Sequence, residues 1–187
     1  ASASFVEQKE KIAKELGVDS RVYRYPLNIS QDKLRQEIGK IVSHKTCGGA
    51  IIQLPLPKSV NRHYVLNAIP REKDVDVLGE RALGAFYTGR NPIVPPPVSV
   101  VQTILLTFNF QLSTARVAVV GLGFLIGKPI AEWLKGKTKE LYLLDEKSDL
   151  GILKNADLVI SGTGHAGLLK PEMLKKGAGV IDFGYAK

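Results

Sequence analysis

The chain of 187 residues has one cysteine, Cys47, so no internal disulfide can form and a reducing compartment is expected. No apolar run is long enough to span a bilayer. Residues 1–30 lack the charged, apolar and small-residue regions of a signal peptide. These absences predict a cytoplasmic protein with no membrane partner. The formal net charge is +8, yet there is no Lys/Arg tract and no nucleic-acid-binding motif. The positive residues alternate with acids, as at Lys9, Glu10 and Lys11 or at Lys14 and Glu15. That is the pattern of a solvated surface, so no nucleic-acid partner is expected. No internal repeat or low-complexity tract occurs, and no metal site is expected.

What is present is 44% hydrophobic residues, enough for a sizeable core. Residues 2–17 read as a helix ending at Gly17, and residues 21–27 alternate like a strand. Ser30 is an N-cap for a helix with a stripe at Leu34, Ile38, Ile41 and Val42. Residues 49–54 read as a short buried strand closed by Pro55 and Pro57, and 61–69 as a helix. Residues 92–97 are rich in proline and exclude a regular helix or central strand. Ser99 would then cap a helix over 100–108.

The second half alternates more regularly. Strands are predicted at 116–120, 140–144, 157–161 and 179–183, with helices at 127–135, 148–154 and 171–175. Strands alternating with helices imply a doubly wound parallel sheet. The fold class is therefore two-domain α/β, with residues 1–97 as one domain and a Rossmann-like domain over 98–187.

The richest stretch is V-A-V-V-G-L-G-F-L-I-G-K-P over 117–129, a strand that runs into glycines and then a helix. Gly121 would make the turn. Gly123 removes a side chain where a pyrophosphate approaches the backbone, and the helix beginning near Gly127 offers free N–H groups and a positive dipole end. The spacing is G-x-G-x-x-x-G, looser than the G-x-G-x-x-G fingerprint. Asp145 follows the next apolar run about 20 residues on, where an acid can accept from the ribose hydroxyls. The alternative is a crossover whose glycines only permit close packing. Phe5, Lys9, Ile12 and Leu16 follow helical spacing, which sets Lys9 on an apolar stripe. A lysine that loses hydration there can exchange protons near neutral pH. Alternatively it buries its stem and extends its ammonium to water.

Several segments, in order, resemble the methylenetetrahydrofolate dehydrogenase/methenyltetrahydrofolate cyclohydrolase family. S-A-S-F-V-E-Q-K-E-K over 2–11 resembles its S-x-x-Y-V-x-x-K-x-K helix. I-Q-L-P-L-P over 52–57 is similar to V-Q-L-P-L-P, and P-R-E-K-D-V-D over 70–76 to P-x-K-D-V-D-G. The glycine stretch sits where the family has V-V-G-R-S-x-x-V-G-x-P, and V-I-D-F-G over 180–184 resembles V-I-D-V-G. The resemblance implies two α/β domains, folate on the first and a nicotinamide cofactor on the second. It implies interconversion of 5,10-methylene- and 5,10-methenyl-tetrahydrofolate by hydride transfer, and hydrolysis of the methenyl form to 10-formyl-tetrahydrofolate. It assigns proton transfer to Lys9, orientation of a lysine or water to Gln53, and the amino-pyrimidinone edge of the pterin to Asp76, with Phe5 beside the substrate. Asp74 reads as a turn or cap residue. Cofactor contacts are expected at Gly121, Gly123, Phe124, Leu125, Gly127, Asp145, Gly162 and Thr163. A homodimer through the nucleotide domain is implied, and the positive charge suits a folate polyglutamate tail or a dinucleotide phosphate.

The departures are specific. Phe5 stands for the family tyrosine, Val77 for the glycine after the aspartate, and P-P-P-V at 95–98 for P-C-T-P. Leu122 and Gly123 replace an arginine and serine linked to NADP, which with Asp145 predicts NAD, NADP remaining possible. The match begins after the family's first helix and strand and ends before its P-V-P-G-G-V-G-P-M-T segment. Changes at Phe5, Val77 and 95–98 favour a relative that binds folate or nucleotide without catalysis. Retention of Lys9, Gln53 and Asp76 favours an enzyme. A different nicotinamide-dependent dehydrogenase would explain the glycines but not Q-L-P-L-P.

Overall fold

The computed structural model describes residues 2–184. The chain divides into two compact units, 1–93 and 94–187, the last three residues of the second lying outside the described region. The division falls four residues before the expected boundary at 97. The reason is that the prolines belong to the second unit: Pro95 is the N-cap and Pro96 the first residue of a helix. Proline suits the first turn, where its missing N–H has no intrahelical partner to lose. Ser99 is thus inside the helix and does not cap it.

In the first unit, α1 spans Ser2–Glu15, α2 Gln31–Ser43, α3 Arg62–Leu66 and α4 Glu80–Tyr87. Ser30 caps α2 by accepting from the Lys33 N–H, as its position predicts, and Asn61 caps α3 through the Tyr64 N–H. Leu34, Ile38 and Val42 of α2 are buried against Val60, Val65 and Ile69. Ala50, Ile52 and Leu56 pack on that cluster. The expected strands at 21–27 and 49–54 do not form. Among the described residues of this unit the only β pairing is one parallel bridge between Ala50 and Asp74. An alternating pattern makes a strand only where a neighbour supplies ladder partners; Val22, Tyr23 and Leu27 are instead exposed. The apolar stripe of α1 is also exposed, with Phe5 at 50% and Ile12 at 52%, and Leu16 just past the helix is at 73%. The dry setting foreseen for Lys9 is therefore not supplied by burial of its own helix face.

The second unit opens with α5, Pro96–Thr107, and then builds β1 Arg116–Val120, α6 Gly127–Leu134, β2 Glu140–Leu144, β3 Leu158–Ser161 and β4 Gly179–Asp182. The strands form one parallel sheet in the order β2-β1-β3-β4. All of β3, and β1 from Val117 to Val120, are buried, as expected for central strands covered on both faces. Helix α6 packs on β1 and on α5. The helices predicted at 148–154 and 171–175 are short 3-10 segments, Leu150–Asn155 and Pro171–Met173. The first starts late because Asp145 and Ser148 close a turn before it. The second ends where the backbone turns extended at Leu174, φ -100° and ψ 153°. No helix among the described residues is long and apolar enough to cross a membrane.

Candidate functional site

Three side chains from distant parts of the first unit converge. Lys9 extends from α1, and its Nζ lies 3.4 Å from Gln53 Oε1 and 3.8 Å from Asp76 Oδ2. Gln53 Nε2 donates to the carbonyl of Leu54 at 2.9 Å, which leaves its oxygen for the lysine. The Asp76 side chain is 24% exposed and that of Lys9 43%. Burial pushes the Asp76 carboxyl above its ordinary range, the Lys9 ammonium pulls it back, and Asp74 pushes it up again. Phe5 stands one helical turn before Lys9, on the same face of α1. An ammonium, an amide and a carboxylate so arranged can pass a proton and accept paired hydrogen bonds.

Asp76 is presented by a tight turn. Val77, wholly buried, takes φ +54°, a region that disfavours β-branched residues. The backbone thus keeps a path suited to glycine although valine occupies it. In that conformation a Cβ costs about 1–2 kcal/mol. Val77→Gly is therefore expected to be more stable than Val77→Ala by about 1 kcal/mol, the reverse of the usual order of these two residues. Chemical denaturation of both variants measures it; alanine equal to or better than glycine shows that the turn carries no such strain.

The glycines of the second unit separate into two kinds. Gly121 follows β1 at φ +84°, and a Cβ there would lie 2.7 Å from Thr163 Cγ2. A Cβ on Gly127, the first residue of α6, would lie 1.9 Å from the Gly121 carbonyl oxygen. One on Gly162 would lie 2.8 Å from Ile126 Cγ2. Close packing therefore requires glycine at these three positions. Gly123 is different: a Cβ there meets nothing within 4 Å. Gly127→Ala is expected to destabilise the protein by about 3 kcal/mol, because backbone cannot yield as a side chain can. Gly123→Ala is expected to unfold within about 0.5 kcal/mol of the parent and to weaken dinucleotide binding. Thermal unfolding and calorimetry with NAD read the two effects separately, and unimpaired binding by Gly123→Ala removes Gly123 from the site.

Phe124 and Leu125 lie in the same turn, the former half-buried and the latter 42% exposed. Gly162 and Thr163 follow β3, so that they face Gly121 across the ends of adjacent strands. Asp145 follows β2 and is exposed. Its Oδ1 accepts from the Lys147 N–H at 3.0 Å and the Ser148 hydroxyl at 2.9 Å, and these bonds hold its carboxyl below the usual range. Among the described residues no group of three metal-ligating side chains occurs. Sequence reasoning missed α4, but Asp74 is the turn and cap residue it was expected to be: it is 3% exposed, with both Leu78 and Gly79 N–H groups on its Oδ2.

The chain leaves β1 for β2 on one side and reaches β3 on the other, so the switch point lies at the ends of β1 and β3, where Gly121, Gly162 and Thr163 sit. A parallel sheet with a glycine turn there defines a Rossmann-like dinucleotide-binding domain. The sequence shows which one. Residues 1–76 match the catalytic domain of tetrahydrofolate dehydrogenase/cyclohydrolase and residues 95–187 its NAD(P)-binding domain, so the chain belongs to that family. It is 34% identical over 187 residues to the bifunctional protein FolD of Mycoplasmopsis synoviae, covering 98% of this chain and 66% of that protein. It thus spans just under two thirds of that relative's length. The crystal structure of the bifunctional FolD methylenetetrahydrofolate dehydrogenase/cyclohydrolase from Campylobacter jejuni superimposes with a TM-score of 0.94 at 28% identity, over 99% of this chain and 67% of that one. The Trypanosoma brucei methylenetetrahydrofolate dehydrogenase-cyclohydrolase, solved with NADP and an inhibitor, gives 0.91 at 31%, over 98% and 64%.

Proposed function

We propose that the chain carries out the two reactions of its family, oxidation of 5,10-methylene-tetrahydrofolate and hydrolysis of the methenyl product to 10-formyl-tetrahydrofolate. The observation that carries this reading is the convergence of Lys9, Gln53 and Asp76 from residues 44 and 67 apart in sequence. The Asp76 carboxylate accepts two parallel hydrogen bonds from the amino-pyrimidinone edge of the pterin, as a carboxylate does from guanidinium. In its neutral amine form Lys9 accepts and returns the proton of the hydrolytic water, with Gln53 orienting its Nζ. Phe5 packs beside the ring system without the hydroxyl of a tyrosine.

The residues at the strand ends fit a dinucleotide. Gly123 leaves room beside the turn, α6 starts at Gly127, and Asp145 is ionised at the end of β2. A bound nicotinamide dinucleotide supplies the hydride acceptor. The chain's own part is positioning, which supplies the entropy advantage of an intramolecular reaction. Phe124, Leu125, Gly162 and Thr163 line the same end of the sheet. The reading places the protein in the cytoplasm as a homodimer.

NAD is the preferred cofactor on this reading. Asp145 would accept from the adenosine ribose, and a 2′-phosphate would set negative charge against it, with Leu122 offering no counter-ion. Absorbance assays with methylene-tetrahydrofolate and each cofactor test the function and the preference together. Turnover with a higher kcat/KM for NAD is expected, and Asp145→Ser should narrow the preference on the order of tenfold. A higher kcat/KM for NADP, the cofactor in the Trypanosoma brucei structure, overturns the assignment. Binding of both ligands without turnover makes the chain a non-catalytic relative.

A further inference from the structure

Residues 74–76 hold two carboxylates, and they are used differently. Asp76 faces Lys9. Asp74 faces its own backbone: Oδ2 accepts from the N–H groups of Leu78 at 3.0 Å and Gly79 at 2.7 Å, and its carbonyl accepts from the Val77 N–H at 3.2 Å. The chain before it is also tied down. Ala50 N–H donates to the Lys73 carbonyl at 2.8 Å, and Lys73 Nζ donates to the carbonyls of Val42 and His44 at the end of α2. Asp76 therefore sits in a segment closed on both sides. The left-handed conformation of buried Val77, one residue on, shows that this closure prevails over a local preference.

We infer that Asp74 is a positioning residue, whose hydrogen bonds to Leu78 and Gly79 hold the turn that aims the Asp76 carboxylate at Lys9 and at the pterin. The inference rests on the reading of Asp76 as the pterin-binding group. Asp74 also acts on Asp76 through its charge. Among the described residues the charged groups that act on Asp76 are Lys9 from α1 and Asp74 from its own turn, and they pull its carboxyl in opposite directions. Asparagine at 74 keeps an oxygen for the two N–H groups and removes the charge. Alanine removes both.

Four variants of the full chain test this. Asp74→Ala should weaken tetrahydrofolate binding by roughly ten- to a hundredfold, because it leaves two buried N–H groups without an acceptor and frees the turn that holds Asp76. Asp74→Asn should restore binding near neutral pH. It should also lower the midpoint of the Asp76 carboxyl, followed by carbon-13 NMR and assigned by its loss in Asp76→Asn; a purely structural residue would leave that midpoint in place. Wild-type affinity in Asp74→Ala, with affinity lost in Asp76→Ala, overturns the inference and leaves the proposed function standing. Wild-type affinity in Asp76→Ala overturns the reading it rests on. An unmoved midpoint in Asp74→Asn overturns the coupling between the two carboxylates even if Asp74→Ala does not fold.

Discussion

Lys9→Met is expected to abolish hydrolysis of methenyl-tetrahydrofolate, lowering the rate by about 10² to 10⁴-fold, the range typical for removal of a general acid–base group. Methionine keeps the apolar stem on α1 and removes the ammonium. The fold should be unaffected, because the ammonium's interactions are long and open to water: 3.4 Å to Gln53 and 3.8 Å to Asp76, with the lysine side chain 43% exposed. Exposed pairs of this kind contribute about 1 kcal/mol or less. Decay of methenyl absorbance against the spontaneous background measures the rate, and denaturation of the variant checks the fold. A wild-type rate above background removes Lys9 from the mechanism. Dehydrogenase turnover should fall less, since hydride transfer needs positioned rings rather than a proton acceptor. A variant that loses both activities equally would make Lys9 a binding residue.

The second unit was more legible than the first. Strands β1 and β2 occupy the predicted residues 116–120 and 140–144, and β3 and β4 are each one residue shorter. Central parallel strands are buried on both faces, so their apolar runs stand out from the loops. In the first unit the same signals misled. Residues 21–27 alternate but have no neighbouring strand, and 49–54 make only the Ala50 bridge. Helix α4 escaped notice because its N-cap is Gly79, which brings no side-chain oxygen, and the N–H groups there are satisfied by Asp74 and Asn67. The grouping of Lys9, Gln53 and Asp76 came from resemblance, since no periodicity links residues so far apart. Glycine spacing could not tell which glycines packing requires; Cβ clearance does, requiring Gly121, Gly127 and Gly162 and leaving Gly123 free of any packing constraint.

Asp76→Ala is expected to weaken folate binding by roughly 2–5 kcal/mol, the cost of truncating one partner of a buried charged hydrogen-bonded pair. Dinucleotide binding should survive, because Asp76 belongs to the first unit and the glycine turn to the second. Stability should survive as well, and the sign follows from the carboxyl's environment. Burial, opposed by Lys9 and assisted by Asp74, raises the folded-state value of Asp76 above its ordinary 3.8. The folded chain then binds this proton more tightly than the unfolded chain. Stability falls as pH rises from 3.8 through the raised value, and above that window the ionised group is a net cost that alanine removes. At neutral pH the variant should unfold no earlier than the parent. Folate affinity of the parent has the opposite dependence. Protonated Asp76 cannot accept one hydrogen bond on each oxygen in parallel, so binding is complete above the raised value and is lost as pH falls through it, earlier than for an ordinary carboxylate. Calorimetry with tetrahydrofolate and with NAD across that range reads both arms, and equal weakening of the two ligands by Asp76→Ala would mean that the residue is structural.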